Sequence, residues 1–304
     1  MAERGITVMA LTIHEESCQK IEMQEFVEVC NSQMDPDDED SVIAMASWLR
    51  KLSNNKSILI DHINTNLRDS TWADRLGGYS SQSFVLETMA NAFIRVNVWE
   101  KSREYDGDTF WEDALYSYGL SHNHNFQLLT AGYWGPGYRT EIHEIDPEGI
   151  VGYAGERVCI RFLEHTGLPE GKVMYYRRSR DVHNQIAPEE FSISLNLMPA
   201  DRLIATTEQF EFDVRNGRIK GIIGNQVEAT VSLLTVAKNI GDHRTADLCV
   251  RLAAVSPNPR ARLAAVDASA ALLPSEACGL WQGALKDASE LVRLHARAMV
   301  ETIC

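Results

Sequence analysis

The segment from Ser81 to Phe212 constrains the fold most, because short runs rich in β-branched and aromatic residues alternate there with glycine, proline and aspartate. Ser192-Ile193-Ser194-Leu195-Asn196-Leu197 alternates polar and apolar residues with period two, which is typical of a strand with one buried face. The other predicted strands are 93–99, 126–133, 138–145, 158–162 and 172–176. Many short strands at this spacing favour a sandwich or a barrel.

Helical patterns precede and follow these strands. Apolar residues recur with helical spacing from about Ile21 to Asp69, and 41–52 is predicted to be one amphipathic helix. Its expected buried anchors are Val42, Ala46, Trp48 and Leu49. After about Asn225 the chain is rich in alanine and leucine and has almost no strand pattern. We therefore expect an α+β protein with N-terminal helices over 1–80, a β domain over 81–212 and C-terminal helices over 225–304.

The C-terminal helices contain an internal repeat. The run 259–265 recurs in outline as 289–296, and the pairs Arg262-Leu263 and Arg293-Leu294 lie 31 residues apart. This period, with an arginine opening an alanine-rich helix, resembles a HEAT repeat, in which helical hairpins stack on their neighbours. The resemblance implies a role in binding a protein partner or in self-association rather than in catalysis.

Composition excludes several classes of protein. The formal net charge is −14, and a phosphate backbone is bound by a surplus of lysine and arginine, so we expect no nucleic acid partner. No apolar run approaches the ~20 residues of a membrane helix, and we expect a cytoplasmic protein that binds no membrane. The six cysteines form no C-x-x-C pair and are expected to be reduced.

Three histidines stand in a pattern that suits a metal ion. His122 and His124 are separated by one residue, so on a strand their imidazoles point to the same face and can bind a divalent metal together. Such a pair alone is more typical of surface or core histidines than of a metal site. His183 supplies a third imidazole after a strand led by Gly171 and a turn, and it precedes the strand 191–198.

These two motifs resemble the signature motifs of cupins, over about Phe93 to Pro199. The resemblance implies a cupin β-barrel, or jelly roll, that binds one metal ion through His122, His124 and His183. Cupins usually carry a metal-binding glutamate shortly after the second histidine. That glutamate is missing, because residues 125–129 are Asn, Phe, Gln, Leu and Leu.

The missing glutamate leaves two interpretations, a metal-free cupin or the three-histidine subclass, which resembles the thiol (cysteine) dioxygenases. Two intervals favour the second, since 59 residues separate His124 from His183 and Arg95 precedes His122 by 27 residues. This resemblance implies Fe(II) as cofactor, dioxygen as co-substrate and Arg95 gripping the carboxylate of a small-molecule substrate. The cysteine and tyrosine cross-linked in some thiol dioxygenases have no counterpart, and Met198 stands at the tyrosine position.

Further candidates follow the Gly135-Pro136-Gly137 turn. Aromatic residues beside this turn can wall a pocket, and we place Tyr138 among the candidate catalytic residues. Glu141 and His143 share a strand face, so Glu141 is a candidate acid–base group and either residue is a candidate fourth ligand. The arginines near 177–180 are candidates for orienting His183 or attracting an acidic substrate.

The leading hypothesis is a mononuclear non-haem iron oxygenase that acts on a small amino acid or a thiol-bearing carboxylate. Two alternatives stay open. One is a metal-dependent isomerase or lyase on the same barrel. The other is a cupin without enzymatic activity that acts as a sensor or scaffold and recruits a partner through its helical repeats.

Overall fold

A computed structural model describes residues 11–13, 16–68, 82–104, 107–200, 202–223 and 227–304. The chain divides into two compact units, which are Met1–Asp146 with Cys159–Asp201 and Pro147–Val158 with Arg202–Cys304. The domain boundaries expected near 81 and 225 lie outside the described residues. The N-terminal helices and the strands that follow them belong to the same unit.

The first unit contains the predicted helices and short strands, together with a first strand and a fifth helix that the sequence did not indicate. Its helices are α1 (Met23–Gln33), α2 (Glu39–Ala44), α3 (Ala46–Ser53), α4 (Ser57–Arg68) and α5 (Phe110–Tyr116). Its strands are β1 (Leu11–Ile13), β2 (Ser83–Thr88), β3 (Ala92–Trp99), β4 (His122–Asn123), β5 (Leu128–Trp134), β6 (Arg139–Glu144), β7 (Arg161–Gly167), β8 (Val173–Tyr176), β9 (Asp181–Ile186) and β10 (Ser192–Pro199).

These strands form two antiparallel sheets. The first has the order β1-β8-β5-β10-β3-β2, and the second contains, within this unit, the order β4-β9-β6-β7. Strands β3 to β10 are thus divided into β3-β10-β5-β8 and β4-β9-β6-β7, so the chain crosses repeatedly from one sheet to the other. This interleaved order is that of a jelly roll. The predicted antiparallel β architecture is confirmed, while closure of a barrel stays a prediction.

One face of the first sheet packs against the N-terminal helices. On β3 and β10, Ile94 is opposite Leu197 and Val96 is opposite Leu195, so all four side chains point to the same face. They join a buried cluster with Phe26 of α1 and with residues of α2 and α3. Burial of this apolar face stabilises the unit by roughly 25 cal/mol per Å² of apolar surface removed from water.

The opposite face of the first sheet is polar and is also buried. Ser192, Ser194 and Asn196 are 0%, 1% and 4% exposed, so the expectation of one buried face is wrong for β10. This face lies towards the second sheet, because Met174 and Tyr176 of β8 share a cluster with Ile142 of β6. Polar side chains can be buried here because they bond to one another; Ser194 accepts a 3.0 Å hydrogen bond from the Trp99 indole.

The helix predicted over 41–52 is broken at Met45. The Met45 backbone N–H donates to the Val42 carbonyl, three residues earlier in the chain. This tighter turn ends α2, and α3 begins directly after it. Of the expected anchors, Val42, Ala46 and Leu49 are buried, whereas Trp48 is half-buried with the Lys51 ammonium over its ring.

The second unit contains a hairpin and a series of helices. Its strands are β11 (Gln209–Asp213) and β12 (Arg218–Ile223), and its helices are α6 (Val227–Ile240), α7 (His243–Val255), α8 (Pro259–Leu272), α9 (Ala277–Ala284) and α10 (Glu290–Ile303). No helix among the described residues of either unit is long and apolar enough to cross a membrane.

The internal repeat is visible in the contacts of two arginines. Arg262 is the fourth residue of α8 and donates to the carbonyls of Ser256 and Pro257, six and five residues earlier. Arg293 is the fourth residue of α10, and its guanidinium likewise donates to the carbonyls six and five residues earlier. The 31-residue period therefore corresponds to equivalent local structure, whereas HEAT-type stacking stays a prediction.

The expectation that all cysteines are reduced is wrong for two of them. Cys278 of α9 and Cys304, which follows α10, form a disulfide across a Cα–Cα distance of 5.5 Å. Their separation of 26 residues carries no pairing signal in the sequence, and packing of α9 with α10 brings them together. Cys18 and Cys159 are exposed thiols, and Cys30 and Cys249 are buried.

Replacing Phe26 by alanine tests how strongly the helices stabilise the sheet. Phe26 is 0% exposed, so we expect Phe26→Ala to lower the free energy of unfolding by about 3–5 kcal/mol in urea denaturation. The exposed neighbour Glu25 is the control, and Glu25→Ala should change it by less than about 0.5 kcal/mol. A loss below about 1 kcal/mol for Phe26→Ala would contradict this packing.

A thiol count tests the disulfide. In the air-oxidised native protein we expect Cys18 and Cys159 to react rapidly with Ellman's reagent, and Cys30 to be protected because burial raises the pKa of its thiol to about 12. Unfolding without a reductant should expose four thiols, and reduction should raise the count to six. Six thiols before reduction would show that Cys278 and Cys304 are not linked.

Candidate metal centre

Neighbouring strands of the second sheet bring the three predicted histidines together. His122 begins β4 and is paired with His183 of β9, and His124 follows β4 on the same side. One ring nitrogen from each residue lies within 4.8 Å of the other two. His124 and His183 are buried and His122 is half-buried, so the cluster is closed to water on most sides.

The hydrogen bonds of the rings suit metal binding. His122 Nδ1 lies 2.9 Å from Leu120 O, which can only accept, so Nδ1 donates and Nε2 is the nitrogen of this ring that can bind a metal. The Nε2 atoms of His124 and His183 are 2.7 Å apart and share one proton. A divalent ion with bonds of about 2.1 Å to nitrogen holds its ligand atoms about 3 Å apart, so it fits here by replacing that proton.

Burial keeps two of these imidazoles neutral. It lowers the pKa values of His124 and His183 well below the usual range, and the neighbouring His122 lowers both further. The Arg95 charge adds to the effect on His124. Neutral imidazole is the form that binds a metal, so the cluster needs no proton release from a charged ring at neutral pH.

Arg95 lies on the buried polar face of β3, opposite Asn196. Burial lowers the pKa of its guanidinium to about 10, with Tyr138 acting in the opposite direction. Its Nε is buried and has no hydrogen-bond partner, and no ion pair to Arg95 exists among the described residues. A buried cation without a counter-ion is costly, so this position suits an anionic ligand.

A chain of hydrogen bonds through two asparagine side chains leaves the Asn97 amide nitrogen as a further donor, which the sequence did not indicate. Thr130 donates to Asn196 Oδ1 at 2.6 Å, and Asn196 Nδ2 donates to the backbone oxygen of Arg95 at 3.2 Å and to Asn97 Oδ1 at 3.1 Å. Because a backbone oxygen can only accept, this chain fixes which end of each amide is nitrogen. The nitrogen of Asn97 is left as a donor on the same strand face as Arg95.

Tyr138 forms part of the aromatic wall between the sheets. Its ring lies 4.3 Å from that of Trp99, and the Tyr176 ring lies 4.6 Å from that of His183. Burial raises the pKa of Tyr138 to about 12, against the opposing effects of Tyr176 and Arg95. Tyr138 is therefore a neutral hydroxyl at physiological pH, which suits donation of a hydrogen bond rather than proton abstraction.

Glu141 and His143 share a face of β6, but it is the face away from the histidine cluster. Glu141 is opposite Asn184 and His143 is opposite Val182, whereas Ile142 is the residue opposite His183. The His143 ring packs against Phe162 instead. The structure thus does not bring Glu141 or His143 to the three histidines, because alternation decides only that they share a face.

No carboxylate replaces the missing cupin glutamate within the described cluster. Leu128 is buried on the inner face, opposite Tyr176 of β8. Gln127 points the other way, where its amide donates to Pro36 O at 2.9 Å and accepts from the Tyr175 hydroxyl at 2.6 Å. The candidate ligand set is therefore formed by imidazoles alone.

Arg177 holds the turn that leads into β9. Its Nε lies 3.1 Å from Oδ1 of the buried Asp181, and its backbone N–H donates to Asp181 Oδ2 at 2.7 Å. Glu144 forms a second ion pair with it at 3.1 Å. These contacts fix the start of β9, two residues before His183, so this arginine positions the strand rather than forming an exposed cationic rim.

Comparisons with known proteins give only a distant likeness. No family model matches the chain, and no curated protein matches it by sequence. Similar solved structures include hydroquinone 1,2-dioxygenase from a Sphingomonas species with 4-hydroxybenzoate bound, at 9% identity and a TM-score of 0.25, covering 44% of this chain and 74% of that one.

Two further similar structures have equally low scores. A cupin-2 domain protein from Shewanella frigidimarina has 9% identity and a TM-score of 0.23, covering 45% of this chain and 98% of that one. A structure of DMSP lyases has 13% identity and a TM-score of 0.24, covering 39% and 46%. These values assign no ligand or activity to the chain. Cupin-type proteins are thus among its structural neighbours, and its own residues form a three-histidine group.

Arg95 is half-buried and its Nε is buried without a partner, so removing its charge should make the metal-free protein more stable. We expect Arg95→Met to raise the free energy of unfolding by about 1–3 kcal/mol, because methionine fills similar space without an unpaired charge. Urea denaturation measures the change, and Arg139→Met on the exposed side of β6 is the control. A loss of more than about 1 kcal/mol would show that Arg95 has a stabilising partner in the protein.

Proposed function

We propose that the first unit is a cupin that binds one Fe(II) ion through His122, His124 and His183, and that the protein is an oxygenase acting on a small carboxylate. The observation that carries the proposal is the convergence of three imidazoles, two of them buried and neutral, near the Arg95 guanidinium, whose Nε has no hydrogen-bond partner. Three neutral ligands leave the full charge of the ion in place, which favours an anionic substrate.

Iron(II) held by three protein ligands would supply open coordination positions for substrate and dioxygen and the electrons that dioxygen activation requires. The protein's own residues bind and orient the substrate. Arg95 presents a planar fork that suits a carboxylate, and the Asn97 amide nitrogen adds a donor on the same strand face. The hydroxyl of Tyr138 stays protonated, which suits donation of a hydrogen bond to the substrate.

The walls around this region favour a small substrate with an apolar part. Trp99, Tyr138, Tyr176 and Met198 form one buried cluster across the two sheets, so water is largely excluded. Met198 stands where some thiol dioxygenases carry a tyrosine, and it is opposite Phe93 on β3. The proposed substrate class is therefore an amino acid or a thiol-bearing carboxylate, and cysteine itself is not required.

The geometry supports an oxygenase better than an isomerase or lyase. Those reactions need a base that removes a proton from carbon, and a carboxylate is absent from the described histidine cluster. Glu141 lies on the other face of β6, and the pKa of Tyr138 is raised to about 12. A binding protein without enzymatic activity would use the same Arg95 and metal, and oxygen consumption distinguishes it from the enzyme.

The C-terminal helices are a separate part of the proposal. Leu233, Val236 and Ile240 of α6 are 70%, 53% and 81% exposed and recur on one side of the helix. Exposed apolar residues at this spacing support binding of a protein partner or self-association through these helices. Light scattering at increasing protein concentration measures self-association.

Metal analysis tests the proposed function. We expect the purified protein to hold about one equivalent of iron and His183→Ala to hold little, because a buried site loses one of its three neutral ligands. His165→Ala, an exposed histidine on β7, is the matched control and should keep its iron. An oxygen electrode with small amino acids and thiol carboxylates should then show uptake. Equal metal in all three proteins, or none, would reject the proposal.

A further inference from the structure

Asn196 lies in the middle of the buried polar face of the first sheet. It is opposite Arg95 of β3 on one side and Thr130 of β5 on the other, and the residue is 4% exposed. Its Nδ2 donates to the backbone oxygen of Arg95 and to Asn97 Oδ1, while its Oδ1 accepts from the Thr130 hydroxyl. This one side chain therefore links three strands beside the proposed carboxylate site.

The backbone oxygen of Arg95 fixes the direction of these hydrogen bonds. A carbonyl oxygen only accepts, so the end of the Asn196 amide that lies 3.2 Å from it must be the nitrogen. The same nitrogen also donates over 3.1 Å to Asn97, so the end of the Asn97 amide that faces it must be the oxygen. Both amides are thus held in one orientation each.

The nitrogen of Asn97 is consequently the end that faces away from Asn196. Asn97 is 8% exposed, and its nitrogen has no hydrogen-bond partner among the described residues but remains accessible to water. Arg95 precedes it by two residues on the same strand face, about 7 Å along the strand. A group that binds between these two side chains meets donors from both, because a guanidinium has no acceptor.

We propose that Asn196 is a positioning residue that holds the Asn97 amide with its nitrogen towards the substrate, so that Arg95 and Asn97 form a site with donors only. This inference rests on the proposed function. Such a site binds an ionised carboxylate, which only accepts hydrogen bonds, and rejects the corresponding amide, whose NH₂ group meets a donor. The substrate class is thereby narrowed to free carboxylates.

Two probes that differ only in this group test the proposal, 3-mercaptopropionate and 3-mercaptopropionamide. Isothermal titration calorimetry without dioxygen measures their binding to the iron-loaded protein, so the readout is affinity and not turnover. We expect the wild type to bind the acid at least about 10-fold more tightly than the amide, because a hydrogen bond to a charged group contributes more than one to a neutral group.

Asn196→Leu keeps the shape of the side chain but removes the donor that holds Asn97. It should weaken binding of the acid by about 3–10-fold and leave binding of the amide unchanged or stronger, because the Asn97 oxygen can then turn towards the NH₂ group of the probe. A general loss of structure would weaken both probes alike, and that result would count against a positioning role.

Asn91→Leu is the matched control. The Asn91 amide also donates to two backbone oxygens, those of Cys30 and Met34, but it does so on the helix side of the first sheet. The change therefore removes comparable hydrogen bonds away from the proposed site. Both probes should bind Asn91→Leu within about twofold of their affinity for the wild type.

A double-mutant cycle shows whether Asn196 acts through Asn97. Asn97→Leu should weaken binding of the acid by about 10-fold, because it removes one hydrogen bond to a charged group. Adding Asn196→Leu to that variant should change the affinity by less than about twofold, since the amide that Asn196 holds is already gone. Additive effects of the two changes would overturn the inference.

The wild type by itself provides a second measurement, which holds even if Asn196→Leu fails to fold. In the zinc-loaded protein, the ¹H–¹⁵N signals of the Asn97 side-chain NH₂ should shift downfield when 3-mercaptopropionate is added, because that group then donates to a carboxylate. Unchanged Asn97 signals in the presence of bound acid would show that this nitrogen does not face the substrate and would reject the proposal.

The same titrations separate this inference from the proposed function. If the wild type binds the acid no better than the amide, or if Arg95→Met keeps the full preference, the carboxylate site of the proposed function is wrong and this inference falls with it. If the wild type prefers the acid and Asn196→Leu prefers it equally, the carboxylate site stands and only the role of Asn196 fails.

Discussion

The two-sided burial of the first sheet determines where the candidate substrate-binding residues Arg95 and Asn97 lie. Ile94 and Val96 pack against the helices, and Arg95 and Asn97 alternate with them and face the second sheet. A slip of one residue in the pairing of β3 would exchange these sets and place a guanidinium in the helix core. Apolar packing on the helix side thus holds the polar side in register.

The inner region contains groups that are costly to bury unless a ligand is present. Two imidazoles are neutral because burial disfavours their charge, while Arg95 keeps its charge without a counter-ion. A metal can share the imidazole lone pairs, and an anion can neutralise the guanidinium. Such groups lower the stability of the ligand-free protein and give it binding capacity, the usual compromise at functional sites.

The strength of local sequence patterns decides how much of the fold could be predicted. The strands 93–99, 172–176 and 191–198 have β-branched or alternating residues and are found as β3, β8 and β10. Strand β9, Asp181-Val182-His183-Asn184-Gln185-Ile186, has mostly polar residues and was not among the predicted strands. Polar residues form a strand there because they line a buried site, which no local propensity expresses.

The sequence by itself determined that His122 and His124 share a face and that an arginine opens each helical repeat, because these follow from fixed periods of the backbone. Only the tertiary structure decided that Glu141 faces away from His183 and that Gln185 contacts it. A period of two assigns residues to a common face, but which face is inside depends on what packs against the sheet. That packing joins segments far apart in the chain, so no local pattern contains it.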